Sequence, residues 1–462
     1  MRALAIEIND AGLVVADEGE VLAIEPGYAL AEDGKITTGT AAHGQARLKP
    51  RQVSNRYWAN LSLEPGSAGL GSMNAAELAY AQLDALWQRF GDGTSDVVFV
   101  VPGAYDREKL GLLLGLAEEC KIPTRALVDA AVAASVRPYP GRQVVHVDAG
   151  LHRVSVTSLT QAGEAIAERE QALDSTGLLT ANDMLARWIS ELFVLATRFD
   201  PFHHARSEQE LYDRLPQWLR DLRETDTVEL SLSHGDEEFT VEVERERLTG
   251  VVDGFNRAVV QLIAQARDAD CGLVVQLSER LWDLPGLARQ LGRLDDARVV
   301  RLPPGHAARA ALRALAAAEI GGAVKLLKHL PWLEPPEAEG RPAEAAPAAR
   351  AAEPLDNRAP THIVYRGIAY PIDADGVSVG RVALDGRRTI VVDDAHGGLS
   401  RVHCELVMRD GEMRVKDVSR YGTFVNERRI AGETVLHPAD VIRIGSPGAE
   451  LEVVRVEGRH GA

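Results

Sequence analysis

Residues 399–406 read Leu-Ser-Arg-Val-His-Cys-Glu-Leu, and residues 417–426 read Asp-Val-Ser-Arg-Tyr-Gly-Thr-Phe-Val-Asn. A Gly-Arg pair, Gly380-Arg381, precedes both. Short runs of alternating apolar residues surround these three motifs, and turns rich in Gly, Asp and Asn separate the runs, a pattern typical of short β-strands. The pattern predicts an all-β sandwich over residues 361–462, with the motifs in its loops. The predicted strands are Val377–Gly380, Thr389–Val392, His403–Met408, Met413–Val418, Thr423–Val425, Val441–Ile444 and Glu450–Val454.

These loops favour phosphate binding. A guanidinium can hold two phosphate oxygens at once, a serine hydroxyl and nearby amides can donate further hydrogen bonds, and strand-end loops can bring such groups together. Glycine turns and surface arginines occur in many sandwiches. The argument therefore depends on the order and spacing of all three motifs.

The three motifs together resemble those of a forkhead-associated (FHA) domain, and the resemblance covers nearly all of residues 361–456. It implies that Arg381 and Ser400 bind the phosphate of a phosphothreonine, and that Arg401 contacts the peptide backbone or the same phosphate. Tyr421 stands where many family members have Asn. The resemblance implies a phosphopeptide-binding set of Arg381, Ser400, Arg401, Arg420 and Tyr421, supported by His403, Gly422, Thr423 and Asn426.

A proline-rich stretch separates this sandwich from the rest of the chain. Seven prolines lie between Leu330 and Thr361, mixed with Ala and Glu. Such a stretch cannot hold a helix or a sheet ladder, so it predicts a flexible, semi-extended linker. The predicted domains are therefore 1–330 and 361–462, joined by a linker at 331–360.

Before the linker, strand meanders followed by alternating strands and helices occur twice, which predicts a two-lobed α/β body. The predicted strands are Ala3–Ile8, Leu13–Ala16, Glu20–Ile24, Asp96–Val101, Val144–Asp148, Arg153–Leu159, Ala165–Glu170, Val228–Leu232, Phe239–Val243 and Gly272–Val275. The predicted helices are Ala75–Arg89, Asp106–Glu119, Leu178–Thr197, Gln209–Arg223, Arg245–Arg267, Leu287–Leu291 and Ala307–Ala318.

Four stretches of this body resemble, in order, the actin, sugar kinase and DnaK-type chaperone superfamily, which has a ribonuclease H-like fold. They are Ala5–Asn9, Val97–Tyr105, Asp129–Ala134 and Val144–Gly150. The resemblance implies two lobes that hold Mg-ATP in a cleft. It implies nucleotide contacts at Glu7, Asp148 and Gly150, with Asp129 and Asp148 as the catalytic acids of an active ATPase.

The same motifs depart from the family at the nucleotide. The Asp-x-Gly pattern of the first phosphate loop is Glu7-Ile8-Asn9, and the Gly-Gly that supports adenosine is replaced by Gln276-Leu277. Because these glycines let the backbone approach a nucleotide, their loss predicts a degenerate ATPase. Asp148 and Gly150 then form a tight turn, and Asp129 begins a helix. A divergent but active ATPase or chaperone-like enzyme is the alternative.

Composition and net charge argue against several other kinds of function. Residues 361–462 carry 14 basic and 15 acidic side chains, so residues 1–360 carry the other 37 and 53 and a formal charge of −16. A net charge of −17 argues against general attraction to nucleic acid or to an anionic membrane. Three isolated cysteines favour neither a disulfide framework nor a metal site. An early acid, Glu7, argues against a signal peptide and predicts a cytoplasmic protein.

The sequence thus predicts an adaptor rather than an enzyme. Its FHA domain binds a protein phosphorylated on threonine, and its body binds a second, unidentified protein without any cofactor. The chain has 44 arginines and 7 lysines, which is typical of a GC-rich bacterial genome and suggests bacterial Ser/Thr-kinase signalling.

Overall fold

The chain forms two compact units, Met1–Glu344 and Ala345–Ala462, in a computed structural model. The structure describes residues 2–65, 73–268, 271–317, 324–336, 360–365, 368–383, 387–392, 399–409, 411–420, 422–425, 428–430, 432–437, 440–444 and 449–454. Within these ranges, no helix combines the length and the apolar character that a membrane span requires.

Two six-stranded sheets organise the amino-terminal unit. Its strands are β1 (Arg2–Glu7), β2 (Leu13–Ala16), β3 (Val21–Glu25), β4 (Ala29–Glu32), β5 (Lys35–Thr38), β6 (Val53–Ser54), β7 (Thr94–Val101), β8 (Thr124–Asp129), β9 (Arg142–Ala149), β10 (Arg153–Gln161), β11 (Glu164–Asp174), β12 (Thr227–His234), β13 (Glu237–Glu244), β14 (Gly272–Leu277), β15 (Ala297–Arg301), β16 (Leu326–Leu327) and β17 (His329–Pro331). Its helices are α1 (Thr40–His43), α2 (Ala75–Phe90), α3 (Arg107–Glu119), α4 (Ala130–Ala134), α5 (Leu178–Thr197), α6 (Ala205–Glu224), α7 (Arg245–Val251), α8 (Asp253–Ala266), α9 (Glu279–Trp282), α10 (Leu287–Leu291) and α11 (His306–Ala317).

Five strands of each large sheet repeat one topology, and the sixth strand lies at opposite edges of the two sheets. The first has the strand order β3-β2-β1-β7-β8-β16, and the second has the order β17-β11-β10-β9-β14-β15. In each, an antiparallel meander of three strands is extended by two strands parallel to the first strand of the meander. The repeat agrees with the alternation that the sequence shows twice.

Strand side chains alternate between cores, as the period of two requires. Along β1, Leu4 and Ile6 join the core under α2 and α3, whereas Ala5 joins a core shared with α4, α11 and the second sheet. Along β9, Val145 and Val147 join the core beneath α5 and α8. The opposite face of β9 carries the polar residues His146 and Asp148, so polar side chains of the second sheet face the first.

Two differences from the predicted elements have local causes. The predicted helix Arg245–Arg267 is wrong as one helix, because it breaks at Val252 into α7 and α8. Gly250, Asp253 and Gly254, all weak helix formers, flank the break. The strands β4, β5, β6, β8 and β15 to β17 were not predicted, since short strands in this unit lack a clear alternation.

The start of the predicted linker contacts the amino-terminal unit. Pro331 pairs with Glu164 in the second sheet, the Leu333 amide donates to the Val136 carbonyl at 2.9 Å, and Glu334 forms an ion pair with Arg137. Residues 337–359, the rest of the predicted linker, lie outside the described residues.

Two sheets packed around one core form the carboxyl-terminal unit. Their strands are β18 (His362–Tyr365), β19 (Ile368–Pro371), β20 (Val377–Gly380), β21 (Thr389–Val391), β22 (Cys404–Arg409), β23 (Glu412–Asp417), β24 (Thr423–Val425), β25 (Arg428–Arg429), β26 (Glu433–Leu436), β27 (Val441–Ile444) and β28 (Ala449–Val454). The orders are β19-β18-β28-β27-β24-β25 and β21-β20-β22-β23-β26. Both sheets contribute to the core, for example through Ile363 and Val379. The predicted sandwich is thus present, with β18, β19, β25 and β26 in addition.

Candidate functional site

Ser400 joins the three loops that carry the sequence motifs of the sandwich. Its carbonyl oxygen accepts a hydrogen bond from the Arg381 amide at 3.3 Å, and its Oγ accepts one from the Arg420 amide at 3.1 Å. A β-carbon at Gly380 would overlap the Arg401 carbonyl, so only glycine lets these loops approach so closely. Three motifs far apart in the sequence therefore meet around one serine.

His403 is an internal support of this loop cluster, in the position that the resemblance implies. It is fully buried, its Nδ1 accepts from the Ser400 amide at 3.3 Å, and its Nε2 lies 3.0 Å from the Gly422 carbonyl oxygen. An amide donates to Nδ1 and a carbonyl oxygen accepts from Nε2, so the geometry puts the ring proton on Nε2. It holds the Ser400 loop and the Gly422 loop at a fixed separation.

A second support was not predicted. One oxygen of Asp417, at the end of β23, accepts from the Ser419 amide, the Ser419 hydroxyl and the Thr423 hydroxyl at 3.0, 2.7 and 3.0 Å. Burial raises the pKa of Asp417, but the hydrogen bonds from Ser419 and Thr423 outweigh it and lower the pKa. Ser419 Oγ in turn accepts from the Gly422 amide at 2.7 Å. An Asp-x-Ser turn was the available signal, since such side chains often bond nearby backbone.

The predicted binding groups lie on the surface above these supports. The side chains of Arg381, Arg401 and Arg420 are exposed and Ser400 is half-buried, whereas Thr423 is fully buried. Gly422 has φ +90°, a backbone conformation that favours glycine. The predicted residues Tyr421 and Asn426 lie outside the described residues. Exposed guanidiniums beside a hydroxyl on braced loops can bind a phosphate dianion.

Comparison with known proteins identifies this part of the chain. The FHA domain family model matches residues 377–445, which include Arg381, Ser400, His403 and Asp417. The carboxyl-terminal unit therefore contains an FHA domain, as its motifs predicted. No curated protein matches the chain.

In the amino-terminal unit, the predicted nucleotide residues meet an unpredicted cation, Arg280. Its Nη2 donates to Glu7 Oε1 at 2.8 Å and to the Gly12 carbonyl at 3.2 Å, and its Nη1 donates to Asp148 Oδ1 at 3.2 Å. The Arg280, Glu7 and Asp148 side chains are only 9%, 6% and 15% exposed. One buried guanidinium thus links β1 of the first sheet to β9 of the second.

The ionisation of this cluster follows from burial and charge pairing. Burial opposes the charged form of Arg280, but the carboxylates of Asp148 and Glu7 outweigh it and raise its pKa. Burial likewise acts to raise the pKa of Asp148, yet Arg280 overcomes it and the pKa falls below its usual range. The Glu7 pKa is raised, because burial there exceeds the effect of Arg280. Arg280 remains a cation and Asp148 an anion.

Asn9 and Asp10 complete the contacts between the sheets. Asn9 Nδ2 donates to Asp148 Oδ2 at 3.0 Å, and Asp10 Oδ1 accepts from the Leu151 amide at 2.7 Å. Gly150 forms the turn from β9 to β10, with its amide 2.8 Å from the Arg153 carbonyl oxygen. Asn9, at the position where the resemblance implies glycine, therefore bonds Asp148.

Asp129, the other predicted acid, caps α4 by accepting from the amides of Ala131 and Val132 at 3.0 and 3.4 Å. Burial raises its pKa. A cavity of about 130 Å³ lies beside these groups, lined by residues that include Asn9, Asp10, Asp148 and Gly150. Ligand pockets are commonly about 300–1,000 Å³. Within the described ranges, His, Cys, Asp and Glu side chains form no group of three suited to a metal ion.

A second set of contacts joins the two halves of this unit farther from the cluster. Arg47 pairs with Asp183 of α5 at 3.1 Å and with Glu208 of α6 at 3.4 Å, and its guanidinium lies 3.7 Å from the centre of the Tyr212 ring. Gln209 of α6 accepts from the Arg47 amide at 2.7 Å. Sequence reasoning missed both Arg47 and Arg280, because their partners lie more than a hundred residues away.

Asp10 gives this cluster a predicted pH dependence. Burial raises the pKa of Asp10 to about 6. Between about pH 4 and 6, the folded chain therefore keeps a proton on this carboxyl that the unfolded chain has already lost. Stability from this group therefore falls as pH rises through that window. In urea unfolding, Asp10→Asn should gain stability relative to wild type from pH 4 to 7, by at most about 3 kcal/mol.

Asp17→Asn is the matched control for this prediction. Backbone hydrogen bonds from Glu20 and Gly19 lower the Asp17 pKa, so its charged form stabilises the fold above the unfolded value. The Asp17→Asn variant should therefore lose stability relative to wild type as pH rises. A flat difference between Asp10→Asn and wild type across the window would contradict the assignment.

Proposed function

We propose that the FHA domain binds a phosphothreonine of a partner protein through Arg381 and Ser400. FHA domains bind phosphothreonine-containing proteins. The observation that carries the assignment is the position of Ser400, whose hydrogen bonds join the Arg381 and Arg420 loops. His403 and Asp417 hold these loops in place before any ligand arrives, which lowers the ordering cost of binding.

In this proposal Arg381 makes charge-assisted hydrogen bonds to the phosphate, and the Ser400 hydroxyl adds a further donor. Arg401 contacts the peptide backbone or the same phosphate, while Arg420 and Tyr421 contact the peptide. Gly422, Thr423 and Asn426 support the loops. The test is recovery of phosphorylated partners by the full chain and by Arg381→Ala, followed by identification of the proteins lost.

We further propose that the amino-terminal unit is a pseudo-ATPase scaffold of the actin and DnaK type. The repeated strand order of its two sheets supports the resemblance. Arg280 supports the loss of activity, because a buried guanidinium already forms ion pairs with Glu7 and Asp148, the acids proposed to serve a nucleotide and its Mg²⁺. The Arg47 contacts to α5 and α6 also oppose separation of the two halves.

The adaptor then works by proximity. The linker tethers a reader of phosphothreonine to a body that binds an unidentified protein, and a tether raises the effective concentration of one partner near the other. We place this adaptor in the cytoplasm, in bacterial Ser/Thr-kinase signalling. The sequence contains neither a G-x-x-x-x-G-K-[ST] motif nor an H-E-x-x-H motif that would favour another enzyme class.

The alternative is a divergent Mg-ATP-binding ATPase or chaperone-like enzyme that the FHA domain recruits to phosphorylated targets. The cavity beside Asp10, Asp148 and Gly150 is the observation in its favour. Catalysis would then require Asp129 and Asp148 to converge on a phosphate after Arg280 leaves the cluster.

A melting experiment separates these readings. A ligand that binds only the folded state raises the melting temperature. We expect millimolar Mg-ATP to leave the melting temperature of the full chain unchanged, because Arg280 occupies the acid pair. A rise that Asp148→Asn removes would favour the ATPase, and Asp296→Asn, in an exposed pair with Arg142, is the control variant.

A further inference from the structure

Four exposed arginines lie in or against the loops that meet at Ser400, and we call Arg381, Arg401, Arg420 and Arg429 the arginine rim. The first three belong to loops that meet at Ser400. Arg381 follows β20, Arg401 lies in the loop before β22, and Arg420 lies in the loop after β23. The fourth, Arg429, lies in β25 and was not among the predicted site residues.

Arg429 reaches the same cluster through Gly422. Its guanidinium lies so close to Gly422 that a β-carbon there would be 2.7 Å from Nε and 3.1 Å from Cζ. The carbonyl of Gly422 bonds the buried His403, which also bonds the Ser400 amide. Since an arginine side chain spans several ångströms, the Arg429 guanidinium is within reach of a peptide bound over this loop.

Four other described arginines of this unit form ion pairs with carboxylates. By contrast, Arg401, Arg420 and Arg429 form no ion pair with a carboxylate among the described residues. Among the described residues, Asp417 also lies in this loop cluster, and its Oδ1 accepts hydrogen bonds from Ser419 and Thr423 rather than from an arginine. The ion pairs of the other arginines are Arg387–Glu405, Arg388–Asp373, Arg409–Glu433 and Arg414–Glu412.

The charge of the rim exceeds that of one ligand group. A phosphothreonine carries about −1.5 to −2 at pH 7, whereas Arg401, Arg420 and Arg429 contribute three guanidiniums that form no ion pair with a described carboxylate, besides Arg381, which the proposal assigns to the phosphate. The excess positive charge attracts carboxylates and repels lysine or arginine near the phosphate.

We propose that the target is an acidic phosphopeptide, with Asp or Glu residues flanking the phosphothreonine, and that Arg420 and Arg429 select it. This rests on the proposed phosphothreonine binding and specifies the class of target. A polyanion such as nucleic acid would share the charge, but the net charge of −17 disfavours it as the partner.

The test compares three phosphothreonine peptides, with Glu, Ala or Lys flanks, titrated against the full chain at low and high salt. We expect the Glu peptide to bind about tenfold more tightly than the Ala peptide at low salt, because each exposed pair contributes modestly. The Lys peptide should bind most weakly, and the differences should shrink at high salt because exposed charges are screened.

Variants assign the preference to the rim. Arg420→Gln and Arg429→Gln should each reduce the preference for Glu flanks several-fold while the Ala peptide still binds. Arg409→Gln is the matched control, since Arg409 lies at the far end of β22 from His403 and should leave the preference unchanged. Circular dichroism of each variant checks that the fold is retained.

The outcomes are distinguishable. Equal binding of the Glu and Ala phosphopeptides overturns this inference and leaves the phosphothreonine proposal intact. Failure of all three phosphopeptides to bind overturns both. Displacement of the Glu peptide by a single-stranded oligonucleotide, at a concentration that matches the peptide's own, would reassign the rim to nucleic acid.

Discussion

Arg381→Ala should reduce binding of the full chain to a phosphothreonine peptide by at least about 30-fold. Removing a charged partner from such a contact commonly costs about 2–5 kcal/mol, and each 1.4 kcal/mol is a factor of ten in the dissociation constant. The side chain is exposed and its amide, which alanine retains, makes the bond to the Ser400 carbonyl. The loss should therefore come from binding and leave the fold unchanged, as calorimetry with thermal melts would show.

Ser400→Ala should have a smaller effect, about tenfold, because it removes the hydroxyl and its bond from the Arg420 amide but leaves the guanidinium and the backbone bond from Arg381 to residue 400. Arg409→Ala, at the opposite end of β22, should bind as wild type does. The unphosphorylated peptide should not bind measurably to any of the four proteins. If wild type binds both forms of the peptide equally, the phosphate is not what this site recognises.

Arg280→Ala should destabilise the amino-terminal unit by about 3–5 kcal/mol, a large fraction of the stability of a typical domain. The variant leaves Glu7 and Asp148 buried without their cation, beside Asp10 and Glu279. Breaking a buried pair from one side is costly because the remaining charge loses its partner but stays out of water. Urea unfolding of the full chain would measure the loss.

Two comparisons isolate the electrostatic cause. The loss should be smaller at pH 5 than at pH 7.5, because the unpaired carboxyls can then take up protons. The triple variant Arg280→Met, Glu7→Gln, Asp148→Asn should recover much of the stability, since neutral groups replace the whole cluster. Arg142→Ala, which breaks an exposed pair with Asp296, should cost at most about 1 kcal/mol. A loss of similar size for Arg280→Ala would show that the buried cluster contributes little.

What could be predicted from the sequence is what local chemistry encodes. The Gly380-Arg381 pair, the Ser400 loop and the Gly422-Thr423 turn predicted the FHA domain, because turns and strand ends impose their residue types over a few positions. The buried support His403 was predicted only through the family resemblance. The Asp417 and Ser419 support was missed, although its partners lie within six residues.

The amino-terminal cluster could not be predicted in the same way. The Gln276-Leu277 pair stood out for its missing glycines, but Arg280, four residues after Gln276, had no predicted role. The ion pair from Arg280 to Glu7 spans 273 residues, so no local sequence pattern indicates it. Its existence depends on how two separate sheets pack, which a spacing rule does not encode. The Arg47 contacts with α5 and α6 were missed for the same reason.

The Arg47 contacts bear on how long a complex assembled by this protein would last. In an enzyme driven by ATP hydrolysis, each turnover opens the two lobes and releases the bound partner. In the proposed pseudo-ATPase scaffold, the Arg47 contacts to α5 and α6 oppose such opening, and no nucleotide cycle would time the release of a partner. The lifetime of the complex would then depend on the FHA domain, and would end when a phosphatase removes the phosphate from the target's threonine.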